Sequence, residues 1–193
     1  MHENLFSYIN QYTALPLTSE EKALITNAFQ PKKIRKKQYF LQEGDICKYT
    51  GFITKGAMRQ YSIDDKGGEH IVHLYIENYW ANDRESFTML TPSKYNIDAW
   101  EDTDLLLITR ADMLDLMEKI PALVEMVRLM DERNAIANQR RLNSTLSNTA
   151  EKRYEEFVLN HPQFLQRFPQ HLIASSLGIT KETLSRIRKQ AIK

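Results

Sequence analysis

The chain has one cysteine, Cys47, in 193 residues. A lone thiol excludes an intramolecular disulfide and any zinc or iron–sulfur site built on several thiolates, which leaves packing as its expected role. No stretch approaches the ~18 uninterrupted apolar residues needed to cross a bilayer. The opening MHENLFSYINQY lacks the basic, apolar and small-residue order of a secretory signal, so a cytoplasmic protein with no membrane partner is expected. Net charge is scarce too, with 26 Lys and Arg against 25 Asp and Glu. Neither a glycine-rich phosphate loop nor a nucleophile elbow is present. His70 and His73 stand three apart on an expected strand and would face opposite ways, while His2, His161 and His171 fall elsewhere. Neither a metal centre nor haem is expected, and no enzyme; Asp83 and Glu85 in ENYWANDRESF read equally well as a charged surface loop.

What is present is the composition of an ordinary soluble globular protein, 42% hydrophobic and 26% charged, with room for two domains. The stretch QHLIASSLGITKETLSRIR is the most informative. Leu172, Ile173 and Leu177 share one side of a short helix, and Ala174 lets a neighbour approach. Gly178 permits the left-handed turn, Ile179 plugs the angle, and Thr180 is an N-cap for a second helix in which Leu184 and Ile187 continue the apolar stripe. The opposite face carries Lys181, Glu182, Ser185, Arg186 and Lys189, side chains that can enter a major groove together. From residue 170 onward the cations are Lys181, Arg186, Arg188, Lys189 and Lys193 against Glu182 alone, although the whole chain carries only +1. That local excess is a footprint for phosphate. An ordinary helical hairpin with a solvated face is the bland alternative.

Upstream, Thr18 and Glu21 have capping-box spacing ahead of Ala23, Leu24, Ala28 and Phe29, so short helices precede residue 31. From residue 32 to 110, brief β-prone runs are separated by Gly44-Asp45, Lys55-Gly56 and Asp64-Asp65-Lys66-Gly67-Gly68, the pattern of a jelly roll. Then Leu116, Ile120, Leu123, Val127, Met130, Asn134, Ala137 and Arg141 alternate steps of four and three, a heptad seam with Pro121 opening its longer helix. The stripe can pack on a twin helix, on the chain's own β domain, or on both in different stretches. Asn148 and Glu151 repeat the capping-box spacing before a helix with Tyr154, Phe157 and Val158 inward, ended by His161-Pro162. Phe164, Leu165 and Phe168 are expected to close a small core beneath the helix pair, with Pro169 in the first turn of the next helix.

The order of elements, together with LGITKETLSRIR, resembles the Crp/Fnr family of bacterial transcription regulators over essentially the whole length. The resemblance implies an α+β chain: a cyclic-nucleotide-binding-like jelly-roll sensor at 1–120, a dimerisation helix at 121–147 and an all-α helix-turn-helix DNA-binding domain at 148–193. It implies that Lys181, Glu182 and Arg186 read bases, that Thr180 and Thr183 touch phosphate, and that Ser185 and Lys189 join the same face. It also implies a homodimer seamed by Leu123, Val127, Met130, Asn134 and Ala137, with double-stranded DNA and RNA polymerase as partners.

The sequence departs from the family twice. In the cassette NYWANDRESFTMLTPSKYN, Asn82 and Asp83 stand where a Gly-Glu pair would hold ribose, and Ser93 and Lys94 where an Arg-Ser pair would hold a cyclic phosphate. Without the fixed guanidinium, Lys94 supplies only a point charge, so tight binding of cyclic AMP is not expected. Arg84, Lys94 and Tyr95 leave open another small effector; an unliganded scaffold is the alternative. The second departure is that the sequence stops five residues past Arg188, where family members usually add a β-hairpin wing. Weaker, salt-dependent binding is expected, with Arg188, Lys189 and Lys193 as partial replacements. A sensor or dimerisation scaffold without sequence-specific DNA binding is the functional alternative.

Overall fold

A computed structural model of the chain describes residues 1–14 and 16–191. Two short helices come first, α1 (His2–Ile9) and α2 (Ser19–Ala28). The α2 start is a reciprocal cap: the Glu21 amide donates to Thr18 Oγ1 at 3.2 Å, and the Glu21 carboxylate accepts from the Thr18 amide at 2.8 Å.

Eight strands follow: β1 (Gln30–Ile34), β2 (Tyr39–Leu41), β3 (Tyr49–Lys55), β4 (Met58–Ile63), β5 (Glu69–Tyr75), β6 (Trp80–Ala81), β7 (Asn96–Ala99) and β8 (Thr103–Thr109). They pair antiparallel into two four-stranded sheets, ordered β1-β8-β3-β6 and β2-β7-β4-β5, the jelly roll the turn spacing predicts. Ile53, Met58, Ile97 and Leu105 lie in the core between them. Gly56 is required where β3 turns into β4: its φ is +101°, and a Cβ there would meet the Asp102 carbonyl oxygen at 2.6 Å. A short helix, α3 (Arg84–Met89), interrupts the roll between β6 and β7.

After the roll, α4 (Arg110–Lys119) leads into α5 (Pro121–Ser147), whose first residue is the proline that needs no intrahelical donor. The first half of α5 does not stand free. Leu116, Ile120, Leu123 and Met126 are buried with Leu5, Phe6 and Ile9 of α1, Ile25 of α2, and Phe52, Leu106 and Ile108 of the roll. Val127 and Met130 pack against the same cluster. Over this stretch the stripe packs on the chain's own domain, one of the arrangements the heptad spacing allows: Leu123 is fully buried there and Val127 and Met130 are partly buried, which removes apolar area from water. Asn134 and Ala137 are exposed, and Arg141 turns back to donate to the Val72 carbonyl at 2.6 Å. The apolar residues that α5 leaves in solvent are others, among them Leu142 (60% exposed) and Leu146 (78%).

Four helices follow among the described residues: α6 (Ala150–Asn160), α7 (Phe164–Arg167), α8 (Gln170–Ser176) and α9 (Lys181–Ala191). The cap of α6 is Thr149, whose side chain accepts from the Lys152 amide, and not Asn148 as the spacing suggested. Asn148 instead closes α5, and its amide nitrogen donates to Ser144 Oγ and Glu156 Oε1, tying the last turn of one helix to the next. Pro169 sits at the N-cap of α8, one residue before its first turn. Phe164 and Phe168 are buried as expected, but the core they close is not a separate one. Together with Leu172, Ile173, Ala174 and Leu184 they pack on Ala57, Tyr61, Ile71, Leu74 and Ile76 of the roll.

Candidate nucleic-acid interface and effector cassette

The helix pair at the C-terminal end is fixed from below. Gly178 takes φ +66°, the left-handed conformation that lets α8 stop and the chain reverse. The Ile179 amide donates back to the Ala174 carbonyl at 3.0 Å, closing the turn. Thr180 Oγ1 accepts from the Thr183 amide at 3.2 Å, which caps α9. Leu184 and Ile187 are buried. With those two residues inward, helical spacing forces the charged side outward.

That outward side is what the sequence predicts. Lys181, Glu182, Arg186 and Lys189 are exposed and Ser185 is half-buried, and all five line one shallow open concavity. Gln190 lines it as well. Sequence reading passed over Gln190, although its place four residues after Arg186 puts it on the same face. Among the described residues none of Lys181, Arg186 and Lys189 enters an ion pair, so their charge stays available. Thr180 is exposed and Thr183 half-buried. Lys193 lies outside the described residues.

The pair is held against the roll by polar contacts around its apolar seam. Arg167 spans two carboxylates of the roll, 3.0 Å from Glu77 and 2.7 Å from Glu101. Burial pushes the Glu77 carboxyl up, but hydrogen bonds from Arg167 and the Gly56 amide outweigh it and hold the group below its ordinary range. Ser175 Oγ accepts from the Ile71 amide at 2.9 Å, which satisfies a donor on the edge strand β5.

The cassette is different in kind, because its polar groups are turned on one another. Asp83 is 4% exposed and caps α3: Oδ1 accepts from the Glu85 amide at 3.1 Å, while Oδ2 accepts from Ser93 Oγ at 2.7 Å. Ser93, also 4% exposed, further accepts from the Tyr95 amide at 3.0 Å. The Asn82 side chain donates to Thr50 Oγ1 at 3.0 Å. Arg84 forks onto Asp131 of α5, both bonds at 2.6 Å. Lys94 is exposed and enters no ion pair with a described residue. The structure thus brings Asp83 and Ser93 together and points Arg84 away from them, into a surface pair. Cys47 is buried, its amide donating to Ser86 Oγ at 2.8 Å; burial pushes its thiol up, the opposite of an activated nucleophile.

Among the described residues no group of three His, Cys, Asp or Glu could hold a metal ion, and no helix is long and apolar enough to cross a membrane.

Comparison with known proteins fits this geometry. Residues 31–120 match the cyclic nucleotide-binding domain family. FixK2 from Bradyrhizobium japonicum superposes with a TM-score of 0.72 at 18% identity, covering 84% of this chain and 83% of that one. The c-di-GMP responsive global regulator CLP of Xanthomonas campestris gives a TM-score of 0.70 at 10% identity, covering 90% and 91%. A transcriptional regulator assigned to the crp/fnr family, from Eubacterium rectale, gives 0.65 at 17% identity, covering 93% and 87%. No curated protein sequence matches the chain. Residues 31–120 are therefore similar to the cyclic nucleotide-binding domain family, and the chain as a whole shares the α+β fold of these solved structures, one of them assigned to the crp/fnr family.

Proposed function

We propose that this protein is a dimeric, cytoplasmic DNA-binding transcription regulator of the Crp/Fnr type and not an enzyme. It reads a two-fold symmetric site through the 180–190 helix and works with RNA polymerase. The observation that carries the reading is α9 itself. Its apolar stripe is buried, its cap is formed, and Lys181, Glu182, Ser185, Arg186 and Lys189 share one open face with no ion pair among the described residues to spend the cations. In this reading Arg186 and Lys181 take guanine acceptors and Glu182 a cytosine amine, while Thr180 and Thr183 lie against phosphate.

The second copy meets α5 on a different stripe from the one the heptad count picked out. Ala135, Gln139, Leu142 and Leu146 also follow steps of four, three and four, and the two leucines are the large apolar side chains that α5 leaves exposed beyond Ile136. The jelly roll does not hold cyclic AMP tightly: the Asp83 carboxylate already occupies the amides at the start of α3, and Arg84 is committed to Asp131. A bound phosphate would have to displace one carboxylate and sit beside it at unfavourable like charge.

Selection from random duplex at two salt concentrations tests the reading. A two-fold symmetric consensus is expected; salt-labile binding without base preference would leave a sensor or scaffold instead. Calorimetric titration tests the cassette, with micromolar or tighter cyclic AMP binding as the contrary result.

A further inference from the structure

We infer that Gln190 is a further base-reading residue of α9, taking an adenine about two base pairs from the position that Arg186 reads. The inference rests on the regulator reading and adds a determinant of which sequence is chosen.

Glu182, Arg186 and Gln190 stand four residues apart on α9, so they form one row along its outward side. All three are exposed and line the same open concavity. Burial of Leu184 and Ile187 fixes how the helix is turned about its axis, and with it the direction of the row. At 1.5 Å of rise per residue, neighbours in the row lie about 6 Å apart along the helix, while successive bases on a strand are about 3.4 Å apart. Each step of the row therefore spans about two base pairs, and Gln190 lies over a different pair from the one beneath Arg186.

The three residues also differ in what they recognise. A carboxylate accepts from the cytosine amine, and a guanidinium donates twice to guanine N7 and O6. A carboxamide donates to adenine N7 while accepting from the N6 amine. Among the four bases in the major groove, only adenine offers that neighbouring acceptor and donor. Phosphate offers acceptors alone and would leave the amide oxygen facing like charge. Cations suited to phosphate stand one and two residues away, Lys189 and Arg188, both exposed.

The Gln190 side chain is also uncommitted: it makes no hydrogen bond with a described residue. Gln60 is the contrast, 4% exposed and accepting from the Tyr75 hydroxyl at 2.7 Å, so that its amide belongs to the fold.

The test selects binding sites from a random duplex pool for wild type, Gln190→Ala and Gln190→Lys in the full chain, with melting midpoints recorded for all three. Wild type should give adenine at the Gln190 position of each half-site. Gln190→Ala should lose about 5–150-fold discrimination there, while the position that Arg186→Ala relaxes keeps its base. Gln190→Lys should exchange that adenine for guanine, whose N7 and O6 accept from an ammonium. Melting midpoints should not move, because the side chain is exposed. An unchanged consensus in both variants would overturn the inference. Loss at the Arg186 position in Gln190→Ala would overturn it as well, by making the amide a brace for the guanidinium. A third contrary result is tighter binding of all sequences by Gln190→Lys, with a salt slope steeper by about 1 and no new base preference, which would place residue 190 against phosphate. A wild type without preference at any position would overturn the regulator reading together with this one. A consensus that keeps its Arg186 position and is indifferent to residue 190 would overturn this inference alone.

Discussion

The outward face of α9 and the cassette around α3 are both dense in charge, yet they spend it in opposite ways. On α9 the cations are exposed and none enters an ion pair with a described residue, although the Glu151 carboxylate feels the field of Arg186. In the cassette, Asp83 is satisfied by an amide and a serine hydroxyl, and Arg84 by a bidentate aspartate. Unspent charge costs nothing while it stays hydrated and is ready for a partner of opposite sign. Satisfied buried charge stabilises the fold and leaves little for a ligand. The difference separates a face whose cations lie open to solvent from a domain whose polar groups satisfy one another.

The largest expected effect concerns the support beneath α9. Ile173 is buried in the seam shared by the roll and the C-terminal helices. Ile173→Ala should lower stability by about 2–5 kcal/mol, read by urea denaturation. Sheet and helix signals should still unfold in one transition; two transitions would mean that the seam does not unite them.

Next comes the cassette. Asp83→Ala removes a cap and the acceptor of a buried hydroxyl, and should destabilise by about 1.5–3 kcal/mol. A loss below about 0.5 kcal/mol, or a gain of tight cyclic AMP binding without further change, would erase the contrast drawn here. The mirror-image change on α9 should behave the other way. Arg186→Ala should alter stability by less than about 0.5 kcal/mol but cost about 1–3 kcal/mol in specific DNA binding, with preference relaxed at one base position. Smaller still is Arg84→Ala, which breaks an exposed pair and should cost no more than about 1 kcal/mol. Increased affinity for small anions in that variant would show that Arg84 was not the limiting group.

The last prediction is a pH effect. Because the Glu77 carboxyl is held below its ordinary range, its contribution is fully present above the unfolded value of about 4.3 and is lost as pH falls through the lowered folded one. Melting midpoints measured on the acid side should therefore fall less steeply in Arg167→Ala than in wild type. Parallel curves would remove Arg167 as the cause.

Features set by short-range chemistry were legible in the sequence. The Thr18–Glu21 box, Gly178 at positive φ, Thr180 as a cap and the alternation of Leu184 and Ile187 with the α9 charges are all fixed within one or two helical turns. The turn spacing of the roll was legible for the same reason. What escaped depends on residues distant in the chain. The stripe from Leu116 to Arg141 follows steps of three and four, and only α1, α2 and the roll, packed against Leu123, Val127 and Met130, decide that its first half is drawn into the core. Periodicity alone cannot choose between a core and a second chain. Asp83 meets Ser93 ten residues on, and Arg167 meets Glu77 and Glu101 across most of the fold, so neither pairing has a local signature. Asn148 and Thr149 are both good capping residues at adjacent positions, and tertiary bonds from Asn148 to Ser144 and Glu156 settled their roles.

The most direct measurement is the base preference of wild type and Arg186→Ala on duplexes selected from a random pool. The account predicts a consensus with two-fold symmetry for wild type and loss of discrimination at one symmetry-related position for the variant. Binding without base preference, equally weakened by salt in both proteins, would contradict it.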